Sequence, residues 1–512
     1  MASADVGRVL LLVAVVAAGT LGVVASAGAA AVPADPANDT VGWEDGRWHN
    51  ETIPLDQSDG LNRTERRAFL ARSLARIEFL TDREVRVDTN LTIRPASRYP
   101  FCGDGPNATV RAMRNARWEA AFVVGQRRDV TDLRGCDPPL AYHGGPERGG
   151  VVVLPEDPDT FRLDGRVLVH ELVHAVQPEP ISPFDRPTTD GLQARDAVVE
   201  GHANYVTQQY ARRCGDEWVC ERHPGSAESA VGPRGRAFRL AGMFGYGYGP
   251  AYVARLTDRE GAAAVRDRFG APPSTTEQVI HDTDEAPVAV RVEATPRGGW
   301  RRVGADRLGE ASVYATFWYA SRAHGAGVVD PASVYGSPEA RRFLGGNPLA
   351  AMDGPYARLN YSHPVSAGWG GDRFVAYANG NRSGYVWATA WDSERDAREF
   401  RTAYLRVLRS LNATRSETGV WTVPDGPFAD AFRVVRDGRR VVVVNGPSTR
   451  ALAAVHPPAA PAGVTVTGTP TASPAAGTAT RPTDGTGPTL PGVVAGGVVL
   501  AATVGTWRVR RA

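Results

Sequence analysis

Apolar residues recur at helical spacing between Asp164 and Pro178: Leu168, Leu172 and Val176 form one stripe inside the run Val167 to Gln177. The spacing predicts a buried-face helix with Asp164 as N-cap and Pro178 as its end. Thr64 to Phe79 shows the same period, with Thr64 as its cap, and helical patterning dominates Ala194 to Phe269. Gly150 to Leu154 is a short apolar strand, and the segment leading to Tyr142 reads as irregular. Past about residue 300 the pattern changes. Leu308 to Ala323 is helical, and Arg373–Tyr377 with Tyr385–Thr389 predicts a hairpin. Asp392 or Ser393 then caps a helix carrying Ala397, Phe400, Tyr404 and Leu408. A second hairpin joins Phe432–Val435 to Arg440–Val444 through Asp437-Gly438. Helices and antiparallel strands in separate runs make the fold class α+β.

The first of these helices carries His170-Glu171-Leu172-Val173-His174. Residues four apart share a helix face, so both imidazoles can reach one metal ion. Glu171, one step round, lies beside the ion, where a carboxylate can act as base on a water the metal activates. Catalytic Zn²⁺ takes three protein ligands and keeps one position open. Glu200, 26 residues after His174 and beyond a Pro-rich loop, is the candidate third ligand on a returning helix. Asp196 and Asn204 share its face, so either can orient a ligating histidine. His202 lies about 200° from Glu200 round the helix and reads as structural.

With Glu200-Gly201-His202-Ala203 beside that pentapeptide, the chain resembles the gluzincins, metallopeptidases with His-Glu-x-x-His on one helix and glutamate on the next. Within them it resembles more a prokaryotic subset whose second helix carries Glu-Gly-x-Ala and which has members on archaeal cell surfaces. Arg83–Val87 and Thr92–Arg94 resemble its early strands, and Gly149–Leu154 its edge strand before the active-site helix. Tyr246-Gly-Tyr248-Gly249-Pro-Ala-Tyr252-Val253 resembles its Tyr-x-x-Gly-x-x-Phe-Val. Ala271 to His281, Gly368 to Phe374 and Trp391 to Phe400 come next in order, so the likeness spans residues 60–410. The resemblance implies a zincin-like domain over 58–299 with a mostly helical C-terminal lobe, then a small α+β domain over 300–457. It also implies hydrolysis of a peptide bond in a peptide or protein substrate, with Glu171 as general base. Tyr246 is the first choice as donor to the developing oxyanion, followed by Tyr248 and His281. The second reading is a non-catalytic surface binding or envelope-structural protein on the same scaffold, because fold does not dictate function.

The ends of the chain bear on location. Arg8, an apolar run to Val24 and small residues through Ala31 form a secretory signal over 1–31, followed by a polar lead-in over 32–57. Residues 458–490, rich in Thr, Pro, Ala and Gly, predict an extended stalk. Leu490-Pro491-Gly492-Val493 opens an apolar tail flanked by Arg508, Arg510 and Arg511, predicting a C-terminal membrane anchor over 491–512. The expected place is the outer cell surface. Sequons at Asn38, Asn50, Asn62, Asn90, Asn107, Asn360, Asn381 and Asn412 fall in the part expected outside. Four cysteines in an exported chain predict disulfides, paired by proximity as Cys214 with Cys220 and Cys102 with Cys136. A metal site of Cys214, Cys220 and His223 is the rival. All 58 basic residues are arginine, and a net charge of +2 offers no nucleic-acid footprint.

Overall fold

The computed structural model describes residues 40–87, 89–99, 107–125, 129–130, 139–144, 150–158, 161–182, 185–223, 231–353, 359–457 and 464–467. The expected signal and anchor segments, Asn38, Cys102 and Cys136 lie outside them.

Helix α1 (Arg63–Thr81) starts one step before the expected cap. The Asn62 side chain accepts from Thr64 N at 2.9 Å and Glu65 N at 3.0 Å, and Glu65 accepts from Asn62 N at 2.9 Å. This reciprocal capping box satisfies more free amides than Thr64 could alone, so Thr64 is drawn into the first turn. Arg83–Val87 forms no strand. Strand β1 (Leu91–Ile93) does, and helix α2 (Ala108–Ala120) then fills a stretch expected to be irregular. Asn107 caps α2 through Val110 N at 3.0 Å.

Strands β2 (Ala141–His143) and β3 (Val151–Val153) complete a small sheet in the order β1-β3-β2. The apolar strand expected at the edge is therefore the middle one. It pairs parallel with β1 and antiparallel with β2. Val151, Val152 and Val153 are all buried, as an unbroken apolar run must be when both faces are covered. The edges belong to β1 and β2.

Helices α3 (Gly165–Val176), α4 (Thr189–Arg213), α5 (Pro233–Gly242), α6 (Phe244–Gly247), α7 (Gly249–Gly270) and α8 (Thr276–His281) come next. Strand β4 (Ala289–Val292) leads into a second unit: β5 (Arg301–Asp306), α9 (Gly309–His324), β6 (Trp369–Asn379), β7 (Arg382–Trp391) and α10 (Glu394–Ser410). It continues through β8 (Thr414–Arg415), β9 (Val420–Thr422), β10 (Ala431–Asp437), β11 (Arg440–Gly446) and α11 (Thr449–Val455). Both expected hairpins form, and with β5, β8 and β9 they build a seven-stranded antiparallel sheet ordered β8-β9-β10-β11-β7-β6-β5. Ser393, accepting from Asp396 N at 3.2 Å, caps α10. The molecule is thus mixed α+β, with its large sheet in the C-terminal region.

The two units share one core. Val169 and Leu172 of α3, Phe244 of α6, Phe317 of α9 and Trp387 and Phe400 of the sheet unit belong to a single buried cluster. The change of pattern near residue 300 marks a change of architecture inside that core. Polar ties reinforce it: buried Asp190, near the start of α4, accepts from Arg307 Nε at 2.8 Å and from Thr276 N and Oγ1 at 2.7 Å each. The sheet unit therefore anchors α4. Strand β12 (Val464–Thr467), placed by composition within the stalk, pairs antiparallel with β4. Its Val-Thr-Val-Thr alternation of β-branched residues suits a strand, whatever the composition beyond it.

Candidate metal centre

Asp164 caps α3, accepting from Arg166 N at 2.8 Å, and its carboxylate also binds Arg166 Nη2 at 2.7 Å and His223 N at 3.0 Å. Arg166 is tied in turn to Asp353. With Leu168 and Leu172 wholly buried, the helix has one rotational setting, and it turns His170 and His174 together toward α4. Glu200 meets them there. His170 Nε2 and His174 Nε2 are 3.2 Å apart, and each lies 3.5 Å from Glu200 Oε2. Ligands held about 2.0–2.1 Å from a tetrahedral ion stand roughly 3.3–3.4 Å from one another. The three atoms already have that spacing. The donor set, two imidazoles and a carboxylate, suits Zn²⁺. Both Glu200 oxygens are buried without a geometrically sound hydrogen bond among the described residues, as a metal-ligating carboxylate would be.

Glycines set this geometry. A Cβ on Gly201 would stand 2.6 Å from the Gly249 carbonyl carbon, and one on Gly245 would stand 2.6 Å from Asp196 O. The Gly-containing motifs on both sides of the site thus let α6 and α7 press backbone to backbone against α4. That brings Tyr246 to the triad: its ring stacks over His170 with centroids 6.0 Å apart, and its hydroxyl lies beside Glu200. Gly201→Ala is expected to destabilise the protein by about 1–3 kcal/mol, since backbone cannot yield as a side chain can. Gly242→Ala, where nothing lies within 4 Å, should be close to neutral. Denaturant midpoints of the two variants check this pair.

Glu171 is wholly buried, has no side-chain partner among the described residues, and faces the His143 main chain. Burial pushes its carboxyl up to about 8, with His174 pulling the other way. At Glu200 burial also opposes ionisation, but the adjoining His174 and His170 outweigh it and hold the carboxyl well below the usual range. Burial pushes the Tyr246 phenol well above its ordinary value, and the Glu200 charge adds to this, so the hydroxyl keeps its proton.

Strand β2 runs past this carboxylate. Gly144 N donates to Gly150 O and Leu154 N to Leu140 O, both at 2.8 Å. In an antiparallel ladder this alternation turns the N–H and C=O of Ala141 and His143 away from β3, toward the free edge. The His143 ring is half-buried beside His174, and burial, then His174, lowers its pKa to about 4.

The remaining expected site residues divide between the triad and the rest of the molecule. Asn204 is buried beside the His170 ring. Asp196 is paired with Arg195 Nη1 at 2.8 Å, and the partner of His174 is instead Gln177, whose Oε1 lies 3.0 Å from His174 Nδ1. Helical periodicity does not single out Gln177, although a polar residue three positions past the second histidine, just before Pro178, is a usable signal. Tyr248 donates its hydroxyl to Ile280 O at 3.0 Å, and His281 Nε2 lies 2.9 Å from Glu310, so neither is at the triad. Cys214 and Cys220 form a disulfide, which removes the alternative metal site with His223. Asn50, Asn62, Asn90, Asn107, Asn381 and Asn412 are exposed; Asn360 is partly so and donates to Ser333 O. A cavity in the shared core, among Trp118, Ala237, Leu308, Thr316 and Trp387, is lined by none of the triad.

Residues 293–456 match a family described as a domain of unknown function, DUF8575. The match covers the sheet unit and leaves out the triad. No curated protein and no solved structure matches the chain.

Proposed function

We propose that the protein is a zinc-dependent peptidase of the gluzincin type with a zincin-like N-terminal unit. The observation that carries this reading is the meeting of His170, His174 and Glu200 at 3.2–3.5 Å, with the Glu171 carboxylate, facing the His143 main chain and without a side-chain partner among the described residues, one residue past the first ligand. A site built only to hold metal has no use for that buried carboxylate. A zinc ion held by the triad supplies a Lewis acid that polarises a carbonyl and makes water a usable nucleophile near neutral pH. Glu171 takes the proton of the attacking water and delivers it to the leaving nitrogen. Tyr246, protonated and beside the triad, is the donor to the developing oxyanion. The substrate lies extended along β2, paired with the outward peptide groups of Ala141 and His143.

The Cys214–Cys220 disulfide supports an exported protein, because such bonds persist mainly in oxidising compartments. The Thr/Pro stalk and apolar tail then hold it at the cell surface by its C-terminus. No helix among the described residues is long and apolar enough to cross a membrane. The test is cleavage of a broad peptide library by the full-length protein. Hydrolysis should vanish with a chelator and return with added Zn²⁺; cleavage indifferent to chelation overturns the reading.

A further inference from the structure

Gln177 ends α3, its N–H bonding Val173 O at 3.0 Å, so no further turn of helix steadies the nearby His174 ring. Its side chain replaces that support. Gln177 Nε2 lies 2.8 Å from Val199 O. A carbonyl only accepts, so the nitrogen end of the amide must face it. The oxygen end then faces His174 Nδ1 at 3.0 Å. An amide oxygen also only accepts, so Nδ1 must carry the hydrogen. A neutral imidazole protonated at Nδ1 has its lone pair on Nε2, the atom that stands by His170 and Glu200. The second amide hydrogen points to His202 Nδ1 at 3.2 Å, which makes that nitrogen an acceptor and explains a buried histidine on the wrong face for the metal. His202 is itself held edge-on against Phe269, with ring centroids 5.6 Å apart.

From this closed set of bonds we infer that Gln177 is a positioning residue: it selects the metal-binding tautomer of His174 and ties the end of α3 to the backbone next to Glu200. Val199 immediately precedes the third ligand, so one side chain holds two ligands in register. The inference rests on the metal-centre reading above, but its first readout does not require metal.

The test uses full-length protein, with histidines selectively labelled with ¹⁵N, as wild type, Gln177→Met and Gln177→Glu. Methionine keeps the bulk and loses every hydrogen bond; glutamate keeps an acceptor for Nδ1. Burial lowers the His174 pKa but the Glu200 charge outweighs it and leaves it at about 9, so the metal-free tautomer is read above that pH. There wild type and Gln177→Glu should show neutral His174 protonated at Nδ1, and Gln177→Met should lose that preference. Zinc affinity, measured by chelator competition, should fall roughly 10–100-fold in Gln177→Met and recover most of the way in Gln177→Glu. A Gln177→Met protein with wild-type tautomer and affinity overturns the role while leaving the metal centre standing. If wild type binds no zinc, the metal centre fails and the tautomer still decides Gln177. Should the methionine variant not fold, Gln177→Glu carries the test, and a neutral His174 protonated at Nε2 there overturns the inference.

Discussion

Glu171→Gln is expected to lower peptide hydrolysis by roughly 10²–10⁴ while zinc content and fold are kept. The change is nearly isosteric and removes the proton acceptor. The carboxylate makes no side-chain hydrogen bond among the described residues, so little packing depends on it. It also loses a buried ionisable group that burial already disfavours as an anion. Stability of the variant should therefore equal or exceed that of the wild type. Steady-state assays on a peptide cleaved by wild type, with metal analysis of both proteins, give the answer. Equal rates, or zinc-loaded wild type that cleaves nothing, would favour a binding or envelope-structural protein on the same scaffold.

Replacing His170 or His174 by alanine should strip the zinc. An apparent zinc-binding free energy on the order of 10–16 kcal/mol, shared among its ligands, implies a loss of several kcal/mol per ligand, or a hundredfold or more in affinity. Glu200→Ala should do the same and also leave the Tyr246 hydroxyl beside an apolar gap. Because the imidazoles must be deprotonated to bind, and the Glu200 charge outweighs burial to raise His174 to about 9, wild-type affinity should keep rising with pH through neutral to about that value. Equilibrium dialysis of each variant, with thermal melts in zinc and in chelator, reads both effects. Zinc should raise the wild-type melting temperature and leave the alanine variants unmoved. A one-to-one zinc signal in both histidine variants would require a different site.

Much of this centre is legible in the chain because it is written in local periodicity. Two histidines four residues apart must share a helix face, Asp164 must cap the helix that carries them, and Glu200 and His202 cannot face one point from a single helix. Likewise, hairpins flanking Asp437-Gly438 arise from turn chemistry and alternation. Such features depend on residues within a turn or two of each other. The cap of α1 falls at Asn62 rather than Thr64 because the choice between two competent caps depends on the return bond involving Glu65.

Tertiary structure decided what depends on residues far apart in the chain. Three valines in a row announce a buried strand, but only pairing with both β1 and β2 makes β3 central and puts Ala141 and His143 on an edge strand. The choice of Gln177 over Asp196 as the partner of His174 depends on where α4 crosses α3, and the arrival of Tyr246 depends on Gly201 meeting Gly249 across α4 and α7. The fusion of two patterned halves around one core has the same origin. Periodicity says which face of an element is apolar, and only the summed packing of all elements says what covers it.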